Sequence, residues 1–122
     1  MLWIAVAAGG AIGSLARHLI NLEIARRLER QVPYATFAVN VVGCLIIGAL
    51  AGRLASGRLV MAPAMRTFVF VGLLGGFTTF STFGLDTFTL AQGGQYEAAF
   101  WNVAGQVALG LAGVWLGFHL AT

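Results

Sequence analysis

Gly75-Gly-Phe-Thr-Thr-Phe-Ser-Thr-Phe83 lies inside a charge-free run from Thr67 to Leu85. At helical rise such a run is long enough to cross most of a bilayer's hydrocarbon core. Its centre nevertheless holds two adjacent glycines, then four hydroxyl residues interleaved with phenylalanines. Glycine pairs weaken a helix, and Thr and Ser compete for its backbone hydrogen bonds. In lipid, an opened backbone is tolerated only where it is buried in protein or lines a wet cavity. The stretch therefore predicts a membrane helix broken in its middle, at a site that handles a small polar species.

The rest of the chain reads as the housing for that break. Of 122 residues, 59% are hydrophobic and 9% charged, with a mean hydropathy of +0.88. A soluble domain carries about 25% charged residues, so a soluble class is excluded. The seven basic residues are all arginines, set singly or in one short cluster between apolar runs. Arginines so placed meet lipid phosphates at the membrane surface, and no nucleic-acid partner is expected. Cys44, the one cysteine, cannot form an intrachain disulfide and reads as a small buried hydrophobe. The N-terminus has no basic leader region and is expected to be a retained first helix.

Four spans are expected, at about residues 2–20, 33–52, 67–90 and 98–121, forming a single all-α transmembrane domain. In the first, Gly9, Gly10 and Gly13 favour close helix approach. Arg17 follows before that span is complete, and it admits two readings: snorkelling to the interface, or a charge lining an aqueous vestibule. His18 reads as interfacial. Asn21 to Arg30 mixes apolar and charged residues as an amphipathic extension or surface loop would. Pro33 opens the second span. Asn40 is its one strongly polar side chain, and Thr36, four residues earlier, shares its face. An Asn at membrane depth either bonds a neighbouring helix or marks a pathway. Asp86 lies near the third span's exit; Asn102 and Gln106 share one face of the fourth. Trp3, Tyr34, Tyr96, Trp101 and Trp115 fall near helix ends, as an aromatic belt requires.

Orientation is nearly undetermined by charge. The first connection carries Arg26, Arg27 and Arg30, and the second carries Arg53, Arg58 and Arg66. Three arginines oppose three, so the positive-inside rule gives almost no preference. Insertion in both directions, with an antiparallel dimer of identical chains, is the expectation. A terminal tag reporting one side only would dismiss it.

Phe77, Phe80 and Phe83 recur every third residue as a stripe on one helix face. Such a stripe is usually a packing ridge, but packing does not call for Thr78, Thr79, Ser81 and Thr82 between the rings. Aromatic edges are electropositive and attract a small anion weakly; hydroxyl and amide donors, Asn40 among them, bond it more strongly. Backbone carbonyls freed by the break coordinate alkali cations in other membrane proteins, so the site also suits a cation. No carboxylate or histidine stands nearby, and no hydrolytic or proton-relay chemistry is suggested.

These residues together resemble the Fluc (CrcB) fluoride channel family. Gly75 to Phe83 is similar to its signature. Gly9-Gly10-Ala-Ile-Gly13 followed by Arg17 resembles its first helix, and Pro33-Tyr-Ala-Thr36-Phe-Ala-Val-Asn40-Val-Val-Gly43 its second. The resemblance implies a dual-topology antiparallel homodimer with two fluoride pores in the inner (plasma) membrane of a microbial cell, exporting fluoride passively and with no enzymatic activity. It implies that the ring edges of Phe80 and Phe83 and the amide of Asn40 meet fluoride. Thr36, Ser81 and Thr82 would follow along the route, and Arg17 would sit in the vestibule. The backbone carbonyls of Gly75 and Thr78 would hold a structural sodium ion at the dimer centre. Asp86 stands where the family commonly has glutamate, and no fourth-helix residue is carried over. The rival class is a small dual-topology multidrug exporter, which needs a membrane-embedded carboxylate. Glu23, Glu29 and Glu97 lie in connections and Asp86 near a span end, so the residues do not favour it.

Overall fold

A computed structural model describes residues 1–29 and 33–122; Arg30, read above as part of the first connection, lies outside the described residues. Four helical stretches are long and apolar enough to cross a membrane: Leu2–Arg27, Tyr34–Ala55, Pro63–Gln92 and Tyr96–Ala121. Among the described residues there is no strand. Helix α1 (Leu2–Arg27) does not stop near residue 20 but continues through the amphipathic segment. Glu23 pairs there with Arg26 at 3.4 Å and Arg27 at 2.6 Å, at the spacings that place side chains on one helix face. Both arginines are mostly exposed, so the pairs add little stability.

The second span is α2 (Tyr34–Ala55). The third is built in pieces: α3 (Pro63–Arg66), a wide π-helical stretch (Thr67–Leu73), α4 (Leu74–Phe77) and α5 (Phe80–Gln92). The fourth is α6 (Tyr96–Ala121). Between α5 and α6, Gly94 takes φ +79°, while the N–H of Gln95 reaches back to the Leu90 carbonyl at 2.8 Å and that of Gly94 to Ala91 at 3.0 Å. This is a Schellman stop, and its left-handed residue is the position that favours glycine.

Two seams hold the spans together. Along one, α1 lies on the π-helical stretch and α4. A Cβ on Gly9 would strike the Phe68 carbonyl, and one on Gly13 the Leu73 carbonyl. Only glycine permits this backbone-to-backbone approach, which replaces the missing hydrophobic drive in lipid with dispersion contact. Along the other, α2 and α6 run against each other. The buried face of α6 is Ala99, Asn102, Gln106, Gly110, Gly113 and Gly117. Its C-terminal half is glycine, where the backbones nearly touch. Its N-terminal half is amide, and that half lies level with the break. Most large apolar side chains, from Trp3 to Leu120, face outward, as lipid-exposed helices require.

Candidate functional site: the break in the third span

The third helix is interrupted at Thr78 and Thr79, whose backbones are extended (φ −87°, ψ 163° and φ −155°, ψ 124°). The expected mid-helix break is therefore present, two residues wide. Thr79 turns its hydroxyl into a helix cap, accepting from the N–H of Thr82 at 3.3 Å and restarting the helix as α5. The same hydroxyl lies 3.2 Å from that of Thr82 and 3.5 Å from that of Ser81.

Asn40 closes the gap from α2. Its Oδ1 accepts from the Thr79 N–H at 2.9 Å, and its Nδ2 donates to the Thr79 carbonyl at 2.9 Å. One side-chain amide thus satisfies both backbone groups of one opened residue, in the low-dielectric setting where leaving them bare is costly. The remaining Nδ2 proton goes to Oε1 of Gln106 on α6, at 2.8 Å. Gln106 donates in turn to Asn102 at 2.8 Å, Asn102 to the Thr87 hydroxyl at 2.9 Å, and Thr87 to the Phe83 carbonyl at 2.8 Å. Sequence places Asn102 and Gln106 on one helix face but gives no sign that they, or Thr87, join the site. The i, i+4 spacing of the two amides was the signal for the link between them.

Diverting Thr79 and Thr82 has a second consequence. In an unbroken helix the Gly75 carbonyl would accept from Thr79 and the Thr78 carbonyl from Thr82. Those two N–H groups bond Asn40 and the Thr79 hydroxyl instead. The carbonyls of Gly75 and Thr78 thereby lose the helix partners they would otherwise have, and both residues line one groove.

The remaining sequence-predicted residues are spread around this centre. Thr36 is buried on α2 one turn before Asn40, with Asp86 as its polar neighbour. Phe83 is half-buried and packs on Phe80 with ring centroids 5.5 Å apart and planes tilted by 57°. Ser81 is exposed and Thr82 half-buried. Phe80 is 81% exposed in the single chain. It stands at the rim of an open groove of about 330 Å³, lined also by Asn40, Gly43, Cys44, Thr78 and Phe70. Arg17 is half-buried on α1, and among the described residues no hydrogen bond or ion pair ties it to the break. Asn40, Gly75, Thr78 and Phe80 thus border one groove at the helix break, Ser81, Thr82 and Phe83 follow on the restarted helix, and Thr36 lies a turn from Asn40 beside Asp86. Among the described residues no cluster of His, Cys, Asp or Glu could hold a metal ion.

Four apolar spans, the third broken beside a buried amide seam, define a multi-pass membrane protein. The chain belongs to the CrcB family: the family described as "CrcB-like protein, Camphor Resistance (CrcB)" matches residues 4–118. A protein of Methylobacillus flagellatus named fluoride-specific ion channel FluC is 47% identical over 116 residues, covering 94% of this chain and 90% of that one. Proteins of the same name from Paramagnetospirillum magneticum and Aeromonas salmonicida are each 46% identical over 118 residues. They cover 96% and 97% of this chain and 92% and 94% of their own lengths.

Proposed function

We propose that this protein is a fluoride channel of the bacterial inner membrane that lets fluoride leave the cell passively, with no enzymatic activity. The observation that carries the reading is the helix opened at Thr78 and Thr79 with the Asn40 amide docked onto it, in a family whose relatives are named fluoride-specific channels. Fluoride is small and strongly hydrated, and a path for it must replace water with N–H, O–H and polarised C–H groups at close range. Asn40, Thr36, Ser81 and Thr82 supply the first two kinds, and the ring edges of Phe80 and Phe83 the third. Arg17 serves in the vestibule, where a cation raises the local anion concentration. The multidrug-exporter alternative finds no support: its coupling carboxylate is missing from the centre of every span, and the relatives carry another name.

The working unit of this proposal is an antiparallel homodimer, inserted in both orientations. An opened backbone facing lipid is costly, and the groove beside Gly75, Thr78 and the exposed Phe80 ring leaves this one uncovered on the single chain. A second copy with the same groove covers it, and the balance of three arginines against three permits opposite insertion. The freed carbonyls of Gly75 and Thr78 fit a sodium ion at the dimer centre. When bound, the ion would neutralise carbonyl dipoles converging from both copies and so lock the two breaks together.

Proteoliposomes test the reading. Vesicles containing the protein are expected to release loaded fluoride far faster than protein-free vesicles and to retain chloride, with a C-terminal tag accessible from both faces. Release no faster than from empty vesicles sinks the channel reading; a tag accessible from one face only sinks the antiparallel dimer. Replacing sodium with N-methyl-D-glucamine is expected to lower dimer melting in detergent by several degrees, and an unchanged melting curve removes the ion from the interface.

A further inference from the structure

The hydrogen-bond bookkeeping at Asn40 leaves no donor free. A primary amide has two N–H donors, and here one goes to the Thr79 carbonyl and the other to Gln106 Oε1. An anion arriving at Asn40 meets an oxygen already holding the proton it needs. Resting on the fluoride-conducting reading above, we propose that Gln106 is a further anion-binding residue, which turns its amide over when an anion reaches Asn40, with Asn102 and Thr87 reversing behind it.

The two ends of the relay differ. Asn40 is fixed, because the Thr79 backbone presents an N–H to its Oδ1 and a carbonyl to its Nδ2, and neither can be exchanged. Gln106 and Asn102 have no such anchor. Each is oriented only by its neighbours, and the far end is the hydroxyl of Thr87, which both donates and accepts. A half-turn of the Gln106 amide exchanges Oε1 for Nε2 in front of Asn40, so that two N–H donors converge where an N–H and an oxygen stood. That arrangement is unfavourable when empty and favourable around one acceptor. Behind it, Gln106 Oε1 accepts from Asn102 Nδ2, and Asn102 Oδ1 accepts from the Thr87 hydroxyl. Thr87 then releases the Phe83 carbonyl, which in the helix still faces the Thr87 N–H. Every member stays paired in both directions, which is what a buried polar chain requires if it is to switch without a large barrier. The anion gains a second donor only while it is present.

Replacing Gln106 with Met keeps the length and volume and removes both the oxygen and the donor. The sign of the result is diagnostic. If Gln106 reverses, the variant loses a charge-assisted bond to the anion, which outweighs the neutral bond it displaces, and the half-saturating fluoride concentration rises by about fivefold. If Gln106 stays as an acceptor on Asn40, the variant frees a donor and half-saturation falls or does not move; either result overturns the proposal. A second measurement uses the parent protein in micelles. Titration with sodium fluoride, and not sodium chloride, is expected to shift the side-chain amide resonances of Gln106 and Asn102 as well as Asn40. Movement confined to Asn40 overturns the reversal, and so covers a Met variant that fails to assemble. A parent without fluoride flux sinks the channel reading; parent flux with a falling or unchanged half-saturation sinks only the inference about Gln106.

Discussion

Asn40→Asp is expected to reduce fluoride flux by at least about 100-fold while leaving the protein able to reach the membrane, since it replaces two donors by acceptors at a site where three hydrogen bonds meet. The aspartate keeps the shape and still accepts from the Thr79 N–H. Its second oxygen, however, faces the Thr79 carbonyl and Gln106 Oε1 at the distances where Nδ2 now donates, 2.9 and 2.8 Å. Two attractive contacts become repulsive. The negative charge also opposes an anion in a setting where Coulomb terms are weakly screened. Flux from proteoliposomes is the measurement, compared with Asn40→Ser, which retains a donor and is expected to fall between the two. Flux of Asn40→Asp within a few-fold of the parent would show that Asn40 only pins the break and never meets the permeant ion.

The break was legible because it violates three expectations at once. Two glycines, four hydroxyls and no charge at the middle of a span have few explanations other than an opened backbone. Asn40 was legible as the lone strong polar group on its helix. Its partner was not, because sequence gives the face of a helix but not the rotation of one helix against another. Only coordinates bring the Asn40 amide onto the Thr79 backbone. The relay through Gln106, Asn102 and Thr87 was half legible: spacing put the two amides together, whereas the hydroxyl that ends the chain lies on another span. The π-helical stretch from Thr67 to Leu73 left no trace in the pattern, since every residue after Thr67 is apolar and a change of period inside a uniform run is invisible. The same uniformity hid the true extent of α1, although Glu23 and Arg27 at i, i+4 were a signal that the helix continues beyond Arg17.

Phe80→Ile carries the other large effect, an expected drop in fluoride flux of about 30-fold or more, because a partly dehydrated anion finds no compensating group where a ring edge stood. The size of the loss depends on where the ring stands. Phe80 is 81% exposed on the single chain, with the tilted ring of Phe83 as its aromatic neighbour. A phenylalanine so placed has three possible surroundings: lipid, a partner's packing surface, or a passage shared with the partner. Isoleucine is branched and nearly as large, and it is as content as phenylalanine in lipid or in an apolar interface. The first two surroundings therefore predict unchanged flux and an unchanged dimer. Only the third predicts a loss, since an alkyl side chain has no positive edge to turn toward an anion. Phe83→Ile, behind Phe80 and half-buried, is the matched comparison, with a loss of similar size if both rings border one path. Flux through Phe80→Ile equal to that of the parent, in a variant that dimerises normally, would move the permeation path off this face of α5 and onto the amide seam between α2 and α6.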